Sequence, residues 1–166
     1  MGKKSLLGLV AAVIVFCISG VLQASVTYTV VGAQNTGTNH GVSTGLYINA
    51  GDRLVITCDP LDMWSSRPGV THNAEPGNAI GWWTYNGLSG WVGTLVGQIG
   101  SGSFFSVGLE FDGIVSTSGA LTLYNFDGIW QDNDGSVTAA IEVNPVPEPA
   151  TIAFLALGGL MFRKPE

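Results

Sequence analysis

Apolar and polar side chains alternate with a period of two along much of this 166-residue chain. The clearest examples are residues 120–125 and 136–143. Leu121 and Leu123 alternate with polar neighbours in the first segment, and a similar series begins at Val137 in the second. Successive side chains of a β-strand point to opposite faces, so this period places one face of each segment in a core. The pattern therefore predicts half-buried β-strands.

Seven segments carry this pattern or a run of β-branched and aromatic residues, and clusters of Gly, Asn, Asp and Ser separate them. The predicted strands are 26–33, 43–48, 53–58, 91–99, 104–111, 120–125 and 136–143. No segment has a helical period long enough for a crossover helix. Short strands in about 120 residues predict an all-β domain over residues 25–143, an antiparallel, jelly-roll-like β-sandwich with one core.

The amino terminus has the three parts of a secretory signal peptide. Lys3 and Lys4 precede an apolar run, residues 6–18, and Ala24 closes a short segment at the expected cleavage point. We predict that residues 1–24 are removed on export. The alternative is an anchoring helix that is not cleaved, which the short apolar run disfavours.

The carboxy terminus carries a second three-part segment, residues 144–166, that begins with a proline-rich spacer. The spacer contains a short motif with the residues Val146, Pro147, Glu148 and Pro149. An apolar stretch, residues 151–162, follows the motif and ends at the basic pair Arg163 and Lys164. About 12 apolar residues give a helix of ~18 Å, short of a ~30 Å hydrocarbon core. The layout resembles the PEP-CTERM sorting signal of exported bacterial proteins. The resemblance implies processing by an exosortase, transient inner-membrane tethering and a host of Gram-negative type that makes extracellular polysaccharide.

The charge of the central segment narrows the class of partner. Residues 25–145 hold two basic residues, Arg53 and Arg67, against ten acids, a net charge near −8. Such a field repels nucleic acid and anionic lipid surfaces, but acidic loops suit a hard cation such as calcium. Cys58 is the single cysteine left after signal removal, so it cannot form an intrachain disulfide, and we predict a buried, unreactive thiol.

The densest polar cluster, residues 125–136, lies between the last two predicted strands. Calcium binds six to eight oxygens from carboxylates, amides and carbonyls. Asp127, Asp132, Asn133 and Asp134 supply several of these, although the spacing is not that of an EF-hand. The alternative is a solvated loop of turn-forming residues.

Four blocks in order along the chain resemble the calcium-dependent galactose-binding bacterial lectins. These blocks are Gly45–Asp52, Trp91–Gly100, Ser118–Leu123 and Asp132–Ser136. Proteins of that family are small jelly-roll sandwiches that bind galactose through a bound calcium ion. The resemblance spans most of residues 28–143 and implies the same fold and ligand class here.

The resemblance also implies a ligand set for the metal. The side chains of Asp127, Asp132 and Asn133 would hold calcium together with backbone carbonyls near Trp64 and Ile129. The loop from Asp127 to Asp132 is shorter than in the best-known galactose binders, which affects the sugar contacts more than the metal.

In such lectins the calcium takes two vicinal sugar hydroxyls, and a neighbouring loop bonds the others. The corresponding loop here, residues 67–78, offers His72, Asn73 and Glu75. His72 is expected as an exposed loop histidine, either a sugar contact or a residue without a role. Several aromatic side chains could stack on a sugar ring, foremost Trp130; the others are Trp64, Trp82, Trp83, Tyr85 and Trp91. Trp82 and Trp83 should divide, one inward and one outward.

Catalytic motifs are sparse. Glu75 with Glu110 or Asp112 could pair as in glycoside hydrolases, but their separation cannot be obtained from a sequence. Residues 41–45 match G-x-S-x-G, but no helix is predicted after them, so they do not form a nucleophile elbow. His40 and His72 are the only histidines of the chain. We therefore expect no enzyme, but an exported domain that binds carbohydrate with calcium. The alternative is a structural protein of the cell surface or polysaccharide matrix, in which calcium only stiffens a loop.

Overall fold

The computed structural model describes residues 25–144, and all of their regular structure is β. The strands are β1 Val26–Val31, β2 Val42–Ile48, β3 Arg53–Cys58, β4 Trp64–Ser65, β5 Thr71–His72, β6 Trp82–Tyr85, β7 Leu88–Trp91, β8 Leu95–Ile99, β9 Phe104–Ser106, β10 Glu110–Ile114, β11 Gly119–Asn125 and β12 Asp134–Asn144. The predicted signal peptide and all of the sorting segment beyond Asn144 lie outside the described residues. Within 25–144, no helix is long and apolar enough to cross a membrane.

Two antiparallel sheets enclose the core. In the first, β12 pairs with β1 and β3, β3 pairs with β10, and the start of β12 carries β4 and then β5. The second has the order β2, β11, β8, β9. An all-β, antiparallel domain of sandwich type is thus confirmed.

The period of two in the sequence matches the burial of both long strands. In β12, Val137, Ala139 and Ile141 are at most 1% exposed, and in β11, Leu121 and Leu123 are fully buried. Both sheets contribute to one apolar cluster, which also contains Val30, Ile48, Leu54, Ile56, Leu95 and Ile99. Burial of this surface is the main favourable term in folding.

Two predicted strands are each broken in two. Residues 91–99 were expected as one strand, but Trp91 ends β7 and the chain turns before β8 begins at Leu95. The turn passes through Gly93 at φ +92°, a conformation that glycine adopts without steric cost. The 104–111 segment likewise divides into β9 and β10, where Val107 leaves the strand to donate to the Leu95 carbonyl.

A hairpin of β6 and β7 covers a second, smaller apolar cluster. Trp83 packs on Phe126 with ring centroids 4.8 Å apart, and this cluster also holds Val96 and Phe104. Trp82, by contrast, is 59% exposed. The division of the two tryptophans between inside and outside is confirmed.

Cys58 is buried and free, as predicted, and burial raises the pKa of its thiol to about 11. The thiolate is the reactive form, so we expect the folded protein to react with a thiol reagent at pH 8 about 100-fold more slowly than the unfolded chain. The measurement is the rate of colour release with and without denaturant, in protein lacking residues 1–24 so that Cys58 is the single thiol. A fast reaction in native buffer would show that β3 opens locally.

Candidate metal centre

The loop from Phe126 to Asn133 joins the two sheets at one end of the domain. It leaves β11 in the second sheet and enters β12 in the first. Its start is fixed by the backbone, because Phe126 N donates to Thr94 O at 2.9 Å. Further along, the Thr38 hydroxyl donates to Gly128 O at 3.0 Å. The fold therefore holds the predicted metal loop in place on two sides.

Three predicted metal ligands lie inside this loop with their side chains turned inward. Asp127 is 5% exposed and Asn133 is 8% exposed. One polar atom of each is already used: Asp127 Oδ1 accepts from Ile129 N at 3.0 Å, and the Asn133 amide donates to Gly32 O at 3.2 Å. The second carboxylate oxygen of Asp127 and the amide oxygen of Asn133 remain for a ligand.

Three buried oxygens of the loop, one from each predicted ligand, have no hydrogen-bond partner. Among the buried side-chain atoms of residues 25–144, Asp127 Oδ2, Asp132 Oδ1 and Asn133 Oδ1 are all unpartnered. Burial of a charged or polar group without a partner is costly, so native proteins pair such groups or use them to coordinate a metal. Two carboxylates and an amide oxygen form a donor set that suits calcium.

The electrostatics of Asp127 show how close these side chains lie to one another. Burial raises the pKa of Asp127 above its ordinary value. Hydrogen bonding from Ile129 N opposes that rise, and the charge on Asp132 adds to it. A positive ion at this position would reverse the effect, because it favours the ionised carboxylate.

Of the two residues expected to contribute carbonyls, Ile129 lies within the loop and Trp64 lies in a neighbouring strand. Ile129 has a 61% exposed side chain. Trp64 lies in β4, which pairs with the first residues of β12, and its buried indole donates to Gly93 O at 3.1 Å. Their roles as carbonyl ligands stay predictions.

His72 differs from its expected setting. It lies in β5 and is 6% exposed, so the expectation of an exposed loop histidine is wrong. Its ring meets Trp64 edge-on at 6.4 Å, and its Nδ1 is hydrogen-bonded to Asn73 O at 2.8 Å. Burial lowers the pKa of His72, opposed by this bond and by the charge of Asp127. The packing of β4 and β5 under Gly93 buries the ring.

The other predicted sugar contacts fall in different surroundings. Asn73 Oδ1 accepts from Glu75 N at 2.9 Å, so this side chain shapes its own loop. Glu75 is exposed and lines a cleft with Trp82 and Trp91. Trp130 lies on the metal loop, 43% exposed, and its carbonyl accepts from Asn133 N at 3.4 Å. Trp130 is thus the predicted aromatic that the fold keeps on the metal loop.

Sequence reasoning missed a buried polar group beneath the loop. The Asn125 amide donates to Ser66 Oγ at 3.0 Å, and Thr36 lies opposite Asn125 in an isolated parallel bridge. Thr36 Oγ1 and His72 Nε2 are the other two unpartnered buried side-chain atoms within residues 25–144. These residues come from four separate segments, so no local pattern could have joined them. The one signal was Asn125, a polar residue at an inward position of a strand.

Asp112, one of the carboxylates considered for hydrolysis, is already paired with a basic side chain. Asp112 forms an ion pair with Arg53, in which Arg53 Nε donates to Asp112 Oδ1 at 2.8 Å, and hydrogen bonding to Arg53 lowers the pKa of Asp112. Within the described residues, no group of three or more His, Cys, Asp or Glu side chains is arranged to hold a metal. The candidate centre depends instead on two carboxylates and an amide.

One solved structure, the EclA N-terminal domain, described as a PllA-like lectin, superimposes on this domain. The TM-score is 0.50 at 19% identity, and the match covers 72% of this chain and 97% of that chain. The domain has a lectin-like fold. No protein-family model matches the chain, and neither does any curated protein. At 19% identity the likeness is one of fold.

Proposed function

We propose that this chain is an exported, non-catalytic protein that binds carbohydrate through a calcium ion held by Asp127, Asp132 and Asn133. The observation that carries the proposal is the set of three unpartnered buried oxygens on these residues. The lectin-like fold adds support, although a fold alone does not transmit function.

The residues of the loop have separate roles in the proposed binding. Asp127, Asp132 and Asn133 would hold the ion, which supplies a positive centre able to coordinate sugar hydroxyls. The bond from Ile129 N orients the Asp127 carboxylate, and the bond to Gly32 O orients the Asn133 amide. Trp130 offers an exposed apolar face against which a sugar ring could exclude water. A galactose-type sugar is the proposed ligand.

The two terminal segments support a location outside the cell for this activity. The signal-like residues 1–24 would direct export, and the Pro147-Glu148-Pro149 motif would pass the chain to an exosortase during a transient inner-membrane stage. The mature domain would then face extracellular polysaccharide at the cell surface or in the matrix. Its acidic charge suits a neutral sugar polymer better than a nucleic acid.

A second function is favoured by one observation. The three unpartnered oxygens are themselves buried, which fits a closed metal site that only rigidifies the loop. In that case the protein is a structural component of the surface or matrix, and calcium binding has no sugar partner.

Thermal unfolding distinguishes the two functions. We expect calcium to raise the melting temperature over chelator, because an ion bound to the native state alone stabilises it by mass action. Galactose should raise it further in calcium and have no such effect in chelator if the site takes sugar. A calcium shift that no sugar in a panel enlarges would support the structural function. No calcium shift would refute the metal site.

A further inference from the structure

Two exposed tryptophans form a corner on the outer face of the hairpin of β6 and β7. Trp82 and Trp91 are directly opposite in the strand register. Their ring centroids are 4.8 Å apart at an interplanar angle of 89°, and the side chains are 59% and 37% exposed. Large indoles are seldom left open without a partner, so this corner is a candidate binding surface.

The corner opens onto a cleft of about 230 Å³ with a mixed lining. Leu88 adds apolar surface to that of the two indoles, Ser89 and Ser106 supply hydroxyls, and Glu75 supplies a carboxylate. A few polar groups among aromatic walls are typical of small-ligand sites. The volume is below the usual range for drug-sized ligands and fits a single ring.

The walls of the cleft are fixed by hydrogen bonds outside it. Val92 N donates to Gly81 O at 2.9 Å and closes the hairpin. Two hydrogen bonds fix the chain at and just before Glu75, since Glu75 N donates to Asn73 Oδ1 at 2.9 Å and Ala74 O accepts from Leu95 N at 2.9 Å. Such preorganisation lowers the entropic cost of binding.

The chemistry of the cleft selects the occupant. An indole face takes an apolar ring surface, and a carboxylate accepts hydrogen bonds from hydroxyls. Glu75 and the net negative charge of the domain disfavour an anion. A neutral pyranose ring has both an apolar face and a rim of hydroxyls.

The cleft adjoins the candidate metal loop. Phe126, which lines the cleft, immediately precedes Asp127. On the opposite face of the hairpin, Trp83 approaches Gly128 of the loop: a β-carbon placed on Gly128 would lie 3.3 Å from Trp83 Cζ2. The cleft and the loop are therefore neighbours in the fold.

We propose that Trp82, Trp91 and Glu75 form a metal-independent subsite for a neutral pyranose ring, which makes the ligand of this domain an oligosaccharide. The inference rests on the proposed function, since it adds a second ring to the sugar bound at the metal loop. It concerns residues that the metal site does not use.

Titration calorimetry in calcium with galactose and with galactotriose tests the subsite. We expect galactotriose to bind about tenfold more tightly than galactose, and the Trp82→Ala variant to lose most of that ratio with galactose affinity unchanged. Glu75→Gln should lower the same ratio. Tyr47→Ala is the matched control, because Tyr47 is 65% exposed in β2 and does not line the cleft. Equal affinities in the parent, or a ratio retained in Trp82→Ala, would refute the subsite and leave the calcium-dependent galactose site intact.

Indole N–H signals in NMR test the subsite without the metal. In chelator, a trisaccharide panel of galactose, glucose and mannose units should shift the Trp82 and Trp91 signals and leave that of buried Trp64 in place. Each signal is assigned by a Trp→Phe variant. If no sugar of the panel moves them, the subsite is wrong. If they move while calcium-dependent galactose binding is absent, the subsite stands and the proposed metal site fails.

Discussion

Replacing Asp127 and Asp132 together by Asn should abolish the calcium-dependent stabilisation that we propose for the domain. At calcium concentrations 100 times the Kd, a native-state ligand adds about 2.7 kcal/mol to the free energy of unfolding, and the variant should lose all of it. Asn keeps the size of the side chain but removes the charge that a hard cation needs. Denaturant unfolding of parent and variant, each with calcium and with chelator, measures the difference.

In chelator the same variant should be more stable than the parent. The pKa of Asp127 is raised by burial and by the charge of Asp132, so the ionised pair opposes folding when no cation is present. The sign of the effect therefore reverses between the two buffers. A loss of stability in both buffers would mean that the carboxylates support the loop through contacts other than a metal.

The matched control changes the same charge on the surface. Asp59 and Glu110 are exposed, and both lie outside the polar cluster of residues 125–136. Asp59→Asn with Glu110→Gln should leave the calcium response within experimental error of the parent. A response lost in the control as well would indicate general charge screening in place of a specific site.

Gly93→Ala should destabilise the domain by about 2–5 kcal/mol. Gly93 has φ +92°, and a β-carbon there would lie 2.4 Å from His72 Cε1 and 3.0 Å from Ser66 Oγ. Backbone strain and overpacking each cost roughly 1–3 kcal/mol, and the buried His72 ring has little room to retreat. Denaturant unfolding measures the loss.

The same substitution should weaken calcium binding. Gly93 N donates to Phe126 O at 3.0 Å, so a shift of the backbone here displaces the residue before Asp127. Calcium titration in the folded variant checks this. Gly45→Ala is the control, with φ +68° but no atom within 4 Å of the added carbon, and should show only the backbone strain, about 1–2 kcal/mol. Equal losses in both variants would mean that His72 yields without cost.

The long strands could be predicted because each carries its own pattern. Leu121 and Leu123 in β11 alternate with more exposed neighbours, and β12 does the same over residues 137–143. The short strands could not be predicted this way. β4 and β5 have two residues each and form only because β12 offers an edge for them to pair with.

The burial of His72 could not be predicted from its neighbours in the chain. Its neighbours in sequence are polar and predict a loop, but Trp64 and Gly93, 8 and 21 positions away in the chain, enclose the ring. Burial of a side chain depends on what other segments bring to it. The cleft at Trp82 and Trp91 could not be predicted from the sequence for the same reason, since Glu75 reaches it from another loop.

The sequence by itself determined the all-β class, the inward and outward faces of the long strands, and the acidic, oxygen-rich character of the loop at Asp127–Asn133. These follow from composition and period, which act over a few residues. Only the tertiary structure decided which oxygens of that loop are left unpartnered. The Asn133 amide nitrogen donates to Gly32 O, 101 residues away, and the amide oxygen is left without a partner. The pairing of polar groups is set by contacts between distant segments, and those contacts exist only in the folded chain.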